Sequence, residues 1–324
     1  MLAVRLAAAV ALSVLAAGSR AYSEPAVSVI AVGDVQLGRG VGRSIAKHGA
    51  GHPFAHVARL TSRADLGIAN LECALSAAGI LIQKRFSFKA DPAAVEGMAR
   101  AGFNIAILAN NHSLDCGRSA LPETLAALRS HGITPVGAGV SADAAAAPVI
   151  VERHHLRIAI LARTFVLPEG IIYREDLPTV AVYDPDTMVQ EVRAARQQAD
   201  IVIVSLHWGI EYARAPQESQ VRIARSIIDA GADIVIGHHT HTPQPVERYH
   251  RGLIAYSLGS FVFDPAGEGG RNGLLLKCAF TRRGLVGYST TPVRIHSVQP
   301  RPVVRHRSNR GSQRHEATRV RGHR

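Results

Sequence analysis

Five apolar, strand-like runs in this chain each end at a polar residue that can bind a metal ion or orient a water, and this pattern constrains the fold more than any other feature. The runs are Ser28 to Val32, Leu66 to Ala69, Ile105 to Ala109, Ile201 to Leu206 and Ile234 to Ile236. The polar residues that follow them are Asp34, Glu72, Asn111 with His112, His207, and the segment Gly237 to His241. In open α/β sheets, side chains at the carboxyl ends of strands converge on one crevice. The sequence therefore predicts a metal site at one edge of such a sheet.

Helical patterns alternate with strand-like runs over most of the chain. They cover Pro92 to Arg100, Leu121 to Leu128, Val189 to Ala199 and Gln217 to Ala230. After residue 250 short strands follow one another without helices: Leu253 to Ser257, Ser260 to Phe263, Leu274 to Phe280 and Val286 to Thr290. We expect one α/β domain over residues 26–296, in which these last strands form an antiparallel second sheet.

The N-terminus has the pattern of a secretory signal peptide. Arg5 precedes an apolar run from Leu6 to Gly18 that only Ser13 interrupts, and this run is too short to span a bilayer comfortably. We predict a signal peptide over residues 1–22 and export to the periplasm, the cell envelope or the medium. The alternative is an uncleaved N-terminal anchor, which also places the domain outside the cytoplasm.

The formal net charge of +12 is concentrated at the C-terminus. Residues 301–324 contain eight arginines and one acidic residue, Glu316, and almost no apolar side chains. Such a segment cannot bury enough surface to order itself, so we predict a basic disordered tail over residues 297–324. The tail either attaches the protein to an anionic envelope surface or polymer, or only adds solubility. Nucleic acid is not expected as a partner, because the chain has an export signal and lacks a recognition motif.

The chain has three cysteines: Cys73, Cys116 and Cys278. Cys73 and Cys116 lie close in sequence to two of the polar strand ends, so a disulfide between them is permitted in an oxidising compartment. We favour three buried free thiols instead, because free cysteine is commonly buried. No CxxC pair is present, which argues against a cysteine-rich structural zinc site.

The residue types at the strand ends favour particular metals. Imidazole nitrogens together with carboxylates suit zinc, manganese or iron. His239 and His241 are two residues apart at a strand end, where a turn can aim both rings at one metal or at two metals about 3.5–4 Å apart. We expect His238 to point away from that centre and to have a supporting role. An isolated H-x-H pair is a weak signal, and the ordered set of strand ends strengthens it.

Several segments carry a resemblance to a known family. They are Gly33 to Arg39, Asn70 to Glu72, Ala109 to Gly117, His207 to Tyr212, Gly231 to Gln244 and Tyr256 to Asp264. The order of these segments resembles that of the motifs in the calcineurin-like metallophosphoesterases. Their residues are similar to those of the CapA-type family of bacterial poly-γ-glutamate capsule-synthesis proteins. The resemblance implies an α/β fold, a four-layer α/β/β/α sandwich with two mixed sheets flanked by helices.

The resemblance also implies roles for individual residues. Asp34 and His241 would bind one divalent metal, Glu72 would bridge, and Asn111, His207 and His239 would bind a second. One or two ions of manganese, zinc or iron would then activate a water. His112 would donate a proton to the leaving group. Single residues also have alternative, purely structural roles. Asp34 could cap a helix, Asn110 or Asn111 could hold a left-handed turn, and His207 and His241 could be hydrogen-bonded histidines of the core.

Two departures from the metallophosphoesterase pattern affect the first metal. Gln36 stands where an Asp-x-His motif has its histidine, and Glu72 is longer than the usual aspartate. Three further residues are candidates for substrate binding: Arg39, Lys89 and Trp208. The alternative for Arg39 and Lys89 is a solvated position on the surface. The alternative for Trp208 is packing in the core.

The sequence supports two functional hypotheses. The first is an exported, metal-dependent hydrolase that acts on an envelope polymer or a phosphoester during capsule-type biosynthesis. The second is a non-catalytic, metal-containing accessory protein that binds an anionic polymer such as poly-γ-glutamate, in a complex with a polymer synthase or exporter. The Asn111-His112 pair favours the enzyme, whereas Gln36 in the place of an imidazole favours the binding protein.

Overall fold

Two mixed β-sheets face each other, and helices cover the outer face of each. The computed structural model describes residues 25–264 and 270–303. The predicted signal peptide and residues 304–324 of the predicted tail lie outside these ranges. Among the described residues, no helix is long and apolar enough to cross a membrane.

The strands and helices alternate along most of the chain. In chain order the strands are β1 (Val27–Val35), β2 (Leu66–Leu71), β3 (Ala74–Leu75), β4 (Lys89–Ala90), β5 (Ile105–Ile107), β6 (Thr134–Val136), β7 (Ala138–Gly139), β8 (Val149–Arg153), β9 (Leu156–Thr164), β10 (Thr179–Val180), β11 (Ile201–His207), β12 (Ile234–His238), β13 (Val246–Tyr249), β14 (Gly252–Ala255), β15 (Ser260–Val262), β16 (Asn272–Thr281), β17 (Gly284–His296) and β18 (Gln299–Pro302). The α-helices are α1 (Arg39–His48), α2 (Ala58–Thr61), α3 (Val95–Arg100), α4 (Leu121–Ser130), α5 (Ala142–Ala146), α6 (Met188–Gln198) and α7 (Glu218–Ala230). Short 3₁₀ helices lie at His52–Phe54, Pro92–Ala94 and Arg118–Ala120.

Each large sheet combines parallel and antiparallel strands. Sheet I has the order β18-β17-β16-β1-β2-β5-β6, and β15 pairs with β1 off this path. Its strands β1, β2, β5 and β6 are parallel, while β16 runs antiparallel to β1. Sheet II has the order β13-β14-β12-β11-β9-β8, with parallel inner strands and antiparallel edges. The mixed pairing that we predicted is confirmed.

The alternation of side chains along the strands creates separate core layers. In β1, Val29 and Ala31 pack between the sheets, whereas Ile30 and Val32 pack against the helices outside sheet I. A third buried cluster joins the outer face of sheet II to α6 and α7. The chain is therefore a four-layer α/β/β/α sandwich, as the resemblance implied.

Helix α7 brings the chain to the strand that carries the histidine cluster. A capping box between Gln217 and Gln220 begins the helix, and Gly231 follows its end with a φ of 126° that favours glycine. The helix buries Ala224, Ile227 and Ile228 against sheet II. Packing on this face fixes the direction in which the following strand, β12, enters the sheet.

The C-terminal strands do not form a sheet of their own, so our prediction of an antiparallel second sheet is wrong. Strand β14 joins sheet II parallel to β12, and β15 pairs in parallel with β1. Strands β16, β17 and β18 extend sheet I in antiparallel fashion. Short apolar runs predict strands but contain no information about which exposed sheet edge they join.

Ordered structure also continues past residue 296, where we predicted the start of the tail. Strand β18 pairs with β17, and Gln299 Nε2 donates a hydrogen bond of 2.7 Å to the carbonyl of His52. The prolines of β18, Pro300 and Pro302, are compatible with its position at the edge of sheet I. The sequence signal was weak because this strand has two prolines and an arginine in four residues.

All three cysteines are free and buried, in agreement with the alternative that we favoured. Burial raises the pKa of Cys73 and of Cys278 to about 12 in each case. These thiols are therefore protonated at neutral pH and behave as small apolar side chains.

Gly33 in β1 lies where the backbone of the segment before β15 approaches closely, next to the predicted site. A Cβ on Gly33 would lie 1.8 Å from the carbonyl oxygen of Gly259, while a Cβ on Gly287 in β17 meets no described atom within 4 Å. We expect Gly33→Ala to lower the free energy of unfolding by about 1–3 kcal/mol, because the backbone must shift. Urea denaturation measures this, with Gly287→Ala as the matched strand control. Equal unfolding free energies for the two variants would contradict the close packing.

Candidate metal centre

The predicted metal ligands lie together at the carboxyl ends of strands from both sheets. Asp34 is near the end of β1, His207 ends β11, and Glu72 follows β2. His239 and His241 follow β12 directly. All five side chains are buried. The strand-end argument thus brings the five residues to one place between the two sheets.

Two groups of ligand atoms share one carboxylate. Glu72, His207 and His239 form the first group, and Asp34, Glu72 and His241 form the second. Within each group, one ligand atom from each side chain lies within 4.8 Å of the others. Because Glu72 belongs to both groups, the arrangement matches two neighbouring cations with a shared carboxylate between them.

The state of Glu72 indicates that this site is built for a cation. Its side chain is 0% exposed, and neither carboxylate oxygen has a hydrogen bond within the described residues. Burial, followed by the nearby charge of Asp34, raises the pKa of Glu72 well above its ordinary value. A buried carboxyl group without hydrogen bonds is costly. Divalent cations would supply the missing partners, so the residues fit a metal centre.

Asp34, in contrast, has several partners. Its Oδ1 accepts a hydrogen bond of 2.8 Å from Asn70 Nδ2, and its Oδ2 lies 3.0 Å from His241 Nδ1. Burial alone would raise the pKa of Asp34, but the neighbouring imidazoles of His238 and His241 hold it well below the ordinary value. Asp34 is therefore the ionised member of the carboxylate pair.

Two of the imidazoles are neutral at physiological pH. Burial, together with the neighbouring imidazole of His239, lowers the pKa of His207 well below 6.5. Burial and His241 lower the pKa of His239 to about 4. The neutral ring is the form that binds metals. His239 Nδ1 is a buried atom for which the described chain provides no hydrogen-bond partner, so it is available as a ligand.

The turn after β12 is strained where it presents its ligands. His239 has a φ of 87° and His241 a φ of 52°, both in the left-handed region that residues other than glycine rarely adopt. Such conformations cost about 1–3 kcal/mol each and occur where surrounding structure imposes them. Here they present two rings, with centroids 6.3 Å apart, whose donor groups share the carboxylate of Glu72.

His238 does not point away from the centre, so our prediction for its direction is wrong. Ile234 and Ile236 of β12 pack between the sheets, and His238 continues that face. Its Nδ1 lies 3.4 Å from Asp34 Oδ1. The reason is that β12 extends through His238, two residues beyond the predicted run, so the regular alternation of side chains still applies there.

The loop after β5 places two asparagines differently. Asn111 Oδ1 lies 2.9 Å from His207 Nε2, inside the metal centre. Asn110 Nδ2 instead donates hydrogen bonds to Asn70 Oδ1 and to the Leu71 carbonyl. Asn110 therefore holds the loop through hydrogen bonds rather than through the left-handed turn that we considered. Sequence reasoning gave no role to Asn70, which contacts both Asp34 and Asn110.

His112 lies in a chain of polar contacts that sequence reasoning missed. Its Nδ1 donates a hydrogen bond of 2.8 Å to Asp115 Oδ2, and Lys84 Nζ lies 2.7 Å from Asp115 Oδ1. The carboxylate only accepts, so it fixes the proton on Nδ1 and leaves Nε2 free. Burial lowers the pKa of His112, while the hydrogen bond to Asp115 opposes this shift. The i,i+3 spacing of His112 and Asp115 was the only available signal.

A pocket open to solvent lies in front of the centre. It is lined by Arg39, Phe86, Phe88, His112, Glu211, Tyr212, His241, Ser260, Phe263, Asp264 and Gly270. The guanidinium of Arg39 lies 5.5 Å from the centroid of the Phe88 ring, and that ring is 4.2 Å from the His112 ring. An exposed cation is thus stacked on the aromatic wall beside His112.

The other two candidate substrate residues lie elsewhere. Lys89 Nζ donates hydrogen bonds to the carbonyls of Ala77 and Gly79, so it holds a loop in place. Trp208 is 1% exposed, and its Nε1 donates to the Tyr256 carbonyl. Trp208 therefore packs in the core, and our prediction that it binds substrate is wrong. A single sequence could not separate an aromatic side chain that faces the pocket from one that faces the core.

Comparison with known proteins places the chain in a family. Residues 28–265 match the family described as "Bacterial capsule synthesis protein PGA_cap". The chain belongs to this family of bacterial capsule synthesis proteins. It is 32% identical to the PGA biosynthesis protein CapA of Bacillus subtilis, over 88% of this chain and 76% of that protein. A probable polyglutamine synthesis accessory protein of Mycobacterium tuberculosis is 35% identical, over 64% of this chain and 57% of its own length.

A solved structure supports the architecture. A putative 5'-nucleotidase from Staphylococcus aureus is similar with a TM-score of 0.50 and 15% sequence identity, over 89% of this chain and 56% of that one. At this identity the likeness concerns the fold alone. The fold is the metallophosphoesterase-like α/β sandwich.

Substitution of the shared carboxylate should separate metal binding from folding. We expect Glu72→Gln to abolish binding of both ions, since Glu72 belongs to both donor groups. The metal-free variant should be at least as stable as the wild type, because a neutral amide replaces a buried carboxyl without hydrogen bonds. Metal-induced stabilisation, about 2.7 kcal/mol at a hundredfold excess over Kd, should disappear. Calorimetric metal titration and thermal unfolding measure these effects. His239→Ala, which touches one group, should remove one ion, and loss of both ions there would contradict the shared arrangement.

The ion pair of Lys84 and Asp115, next to His112, should contribute to the free energy of unfolding. Lys84 and Asp115 are both buried, so Lys84→Met leaves a buried carboxylate without its cation. We expect a loss of about 3–5 kcal/mol in the free energy of unfolding. Arg174→Met removes the cation of the exposed pair with Asp176 and should leave the free energy of unfolding almost unchanged, because solvent screens that pair. Urea denaturation of the metal-free proteins provides the comparison, and similar losses for both variants would contradict a special role for Lys84.

Proposed function

We propose that this chain is an exported, metal-dependent hydrolase that cleaves a phosphoester, amide or ester bond in the synthesis, release or surface attachment of an anionic polymer such as poly-γ-glutamate. The observation that carries the proposal is the pair of donor groups sharing Glu72, with His112 lining the pocket in front of them. Family membership supports the capsule context, and the name of the Bacillus subtilis relative supports the choice of polymer.

Each part of the centre would have a separate chemical task. One or two divalent ions of manganese, zinc or iron would activate a water and neutralise the negative charge that develops during reaction. His112 would give a proton to the departing oxygen or nitrogen through Nε2, because Nδ1 is occupied by Asp115. Asp115 and Lys84 would hold the ring in that orientation. An anionic substrate beside the ring would favour its protonated form.

The pocket supports a substrate that carries negative charge. Arg39 is exposed on its rim, and its guanidinium stacks on Phe88. This planar cation can pair with a carboxylate or a phosphate through two parallel hydrogen bonds. Phe86, Phe88 and Phe263 would contact the apolar part of the substrate. Arg39 would therefore hold one acidic group of a polymer while the neighbouring bond lies at the metal centre.

A non-catalytic accessory role is the second candidate function. Gln36 stands where the metallophosphoesterase pattern has an imidazole, and the Mycobacterium tuberculosis relative is named a synthesis accessory protein. In this role the metal centre and Arg39 would bind polymer carboxylates in a complex with a synthase or exporter. Export and envelope attachment through the basic tail belong to both candidates.

Leaving-group dependence tests the role of His112. We expect His112→Ala to lower kcat on phenyl phosphate by about 10²- to 10⁴-fold, because an unactivated leaving group needs the proton. The loss should be much smaller on the activated substrate 2,4-dinitrophenyl phosphate. His155→Ala, an exposed histidine in the β8–β9 turn, serves as control. An equal loss on both substrates would exclude proton donation by His112.

Turnover by the wild-type protein distinguishes the two candidate functions. The purified protein is assayed for metal content, for turnover of aryl phosphates and of γ-linked oligoglutamate, and for polymer binding, with Asp34→Asn beside it. Turnover that requires metal and is lost in Asp34→Asn supports the hydrolase. Stoichiometric metal with tight polymer binding and no turnover would leave the accessory role.

A further inference from the structure

Gln36, two residues after Asp34, is a buried polar side chain whose role is unexplained by the contacts described so far. It is 0% exposed, and neither Oε1 nor Nε2 has a hydrogen-bond partner in the described part of the chain. Buried amides are nearly always hydrogen-bonded, because an unpaired one loses its interactions with water without replacement. An orphaned amide two residues after Asp34 therefore indicates a partner that is not a protein group.

The direction of the Gln36 side chain follows from its neighbours. Val35 and Leu37 both pack in the core on the helix side of sheet I. The chain between them is extended, since Gln36 N donates a hydrogen bond of 2.8 Å to the carbonyl of Val262 in β15. Side chains alternate in extended chain, so Gln36 faces the side opposite to Val35 and Leu37. Asp34 faces that same side, where its carboxylate meets His241.

The two donor groups are unequally supplied. The group of Glu72, His207 and His239 has Asn111 Oδ1 close by, at 2.9 Å from His207 Nε2. The group of Asp34, Glu72 and His241 has no amide oxygen among the protein contacts described above. The further side chain described beside it is His238, whose Nδ1 lies 3.4 Å from Asp34 Oδ1.

We propose that the amide oxygen of Gln36 is a further ligand of the metal held by Asp34, Glu72 and His241. The inference rests on the metal centre of the proposed function and not on hydrolysis. With Gln36, this metal position has three oxygen donors, from two carboxylates and one amide, and one imidazole nitrogen. Oxygen donors suit manganese better than zinc, so Mn²⁺ is the ion expected here, whereas His207 and His239 supply the other position with nitrogen.

Gln36→Met and Gln36→Glu test the proposal in opposite directions. Methionine has a similar length without the amide, so Gln36→Met should weaken one of two Mn²⁺ sites at least tenfold. Gln36→Glu restores an oxygen donor and should keep both. The metal-free chain uses no Gln36 hydrogen bond, so Gln36→Met should keep the thermal stability of the metal-free wild type and lose part of the increase that Mn²⁺ produces. Gln299→Met, at a buried glutamine in β18, is the matched control.

The readout is calorimetric titration of the metal-free proteins with Mn²⁺, together with electron paramagnetic resonance of the loaded ones. Wild type and Gln36→Glu should show the coupled signal of two adjacent ions, and Gln36→Met the signal of one isolated ion. Gln36→Asn, which withdraws the same amide by one carbon, should resemble Gln36→Met and covers the case in which that variant does not fold.

Two wild-type Mn²⁺ affinities retained in Gln36→Met and Gln36→Asn would overturn the proposal and leave a buried water as the partner of the amide. A wild type that binds no Mn²⁺ would overturn it together with the metal centre. Turnover is not part of the readout. A wild type that binds two ions and hydrolyses nothing therefore removes only the hydrolase, whereas turnover with unchanged Mn²⁺ binding in the variants removes only the role of Gln36.

Discussion

The structure depends on two carboxylates that the fold buries side by side. Asp34 keeps its negative charge through Asn70, His238 and His241, while Glu72 has none of these partners and its pKa is raised by burial and by Asp34 itself. Without a cation only one of the two can be ionised comfortably. Burial lowers the pKa of His207 and of His239, the imidazoles grouped with Glu72, so these neutral rings do not supply the missing charge. Divalent cations would supply the charge that the described residues of the site lack.

The sandwich creates this conflict by bringing strand ends from both sheets to one edge. Asp34 and Glu72 come from sheet I, and His207, His239 and His241 come from sheet II. Val32 and Val35 both pack on the helix side of sheet I, because the register of β1 shifts between Val32 and Asp34. This shift turns Asp34 towards sheet II. A centre made in this way needs both sheets in place, so the helices that pack on their outer faces also determine the distances between the ligands.

Local patterns in the sequence, namely apolar runs, helical spacing and polar residues at strand ends, predicted most of the helices and strands and the convergence of the polar strand ends. The four layers and the roles of individual ligands were implied by the family resemblance. The local patterns could not predict features that depend on distant pairing. The C-terminal strands could join either sheet edge, and the contacts of Lys84 with Asp115 and of Asn70 with Asn110 join separate loops. His238 and Trp208 were misplaced because the position at which a strand ends decides which way the residues around that end face, and the apolar run does not fix that position.

The turn at His239 and His241 has a further consequence for how this chain can change. Glycine would relax the left-handed backbone at either position, as it does wherever φ is positive, but it would remove an imidazole at the same time. A search for more stable variants, whether by selection or in the laboratory, will therefore tend to accept replacements at this turn that remove a candidate metal ligand. Backbone stability and the candidate donor groups are in opposition at these two positions, so a variant stabilised by glycine there is expected to lack one imidazole of those groups.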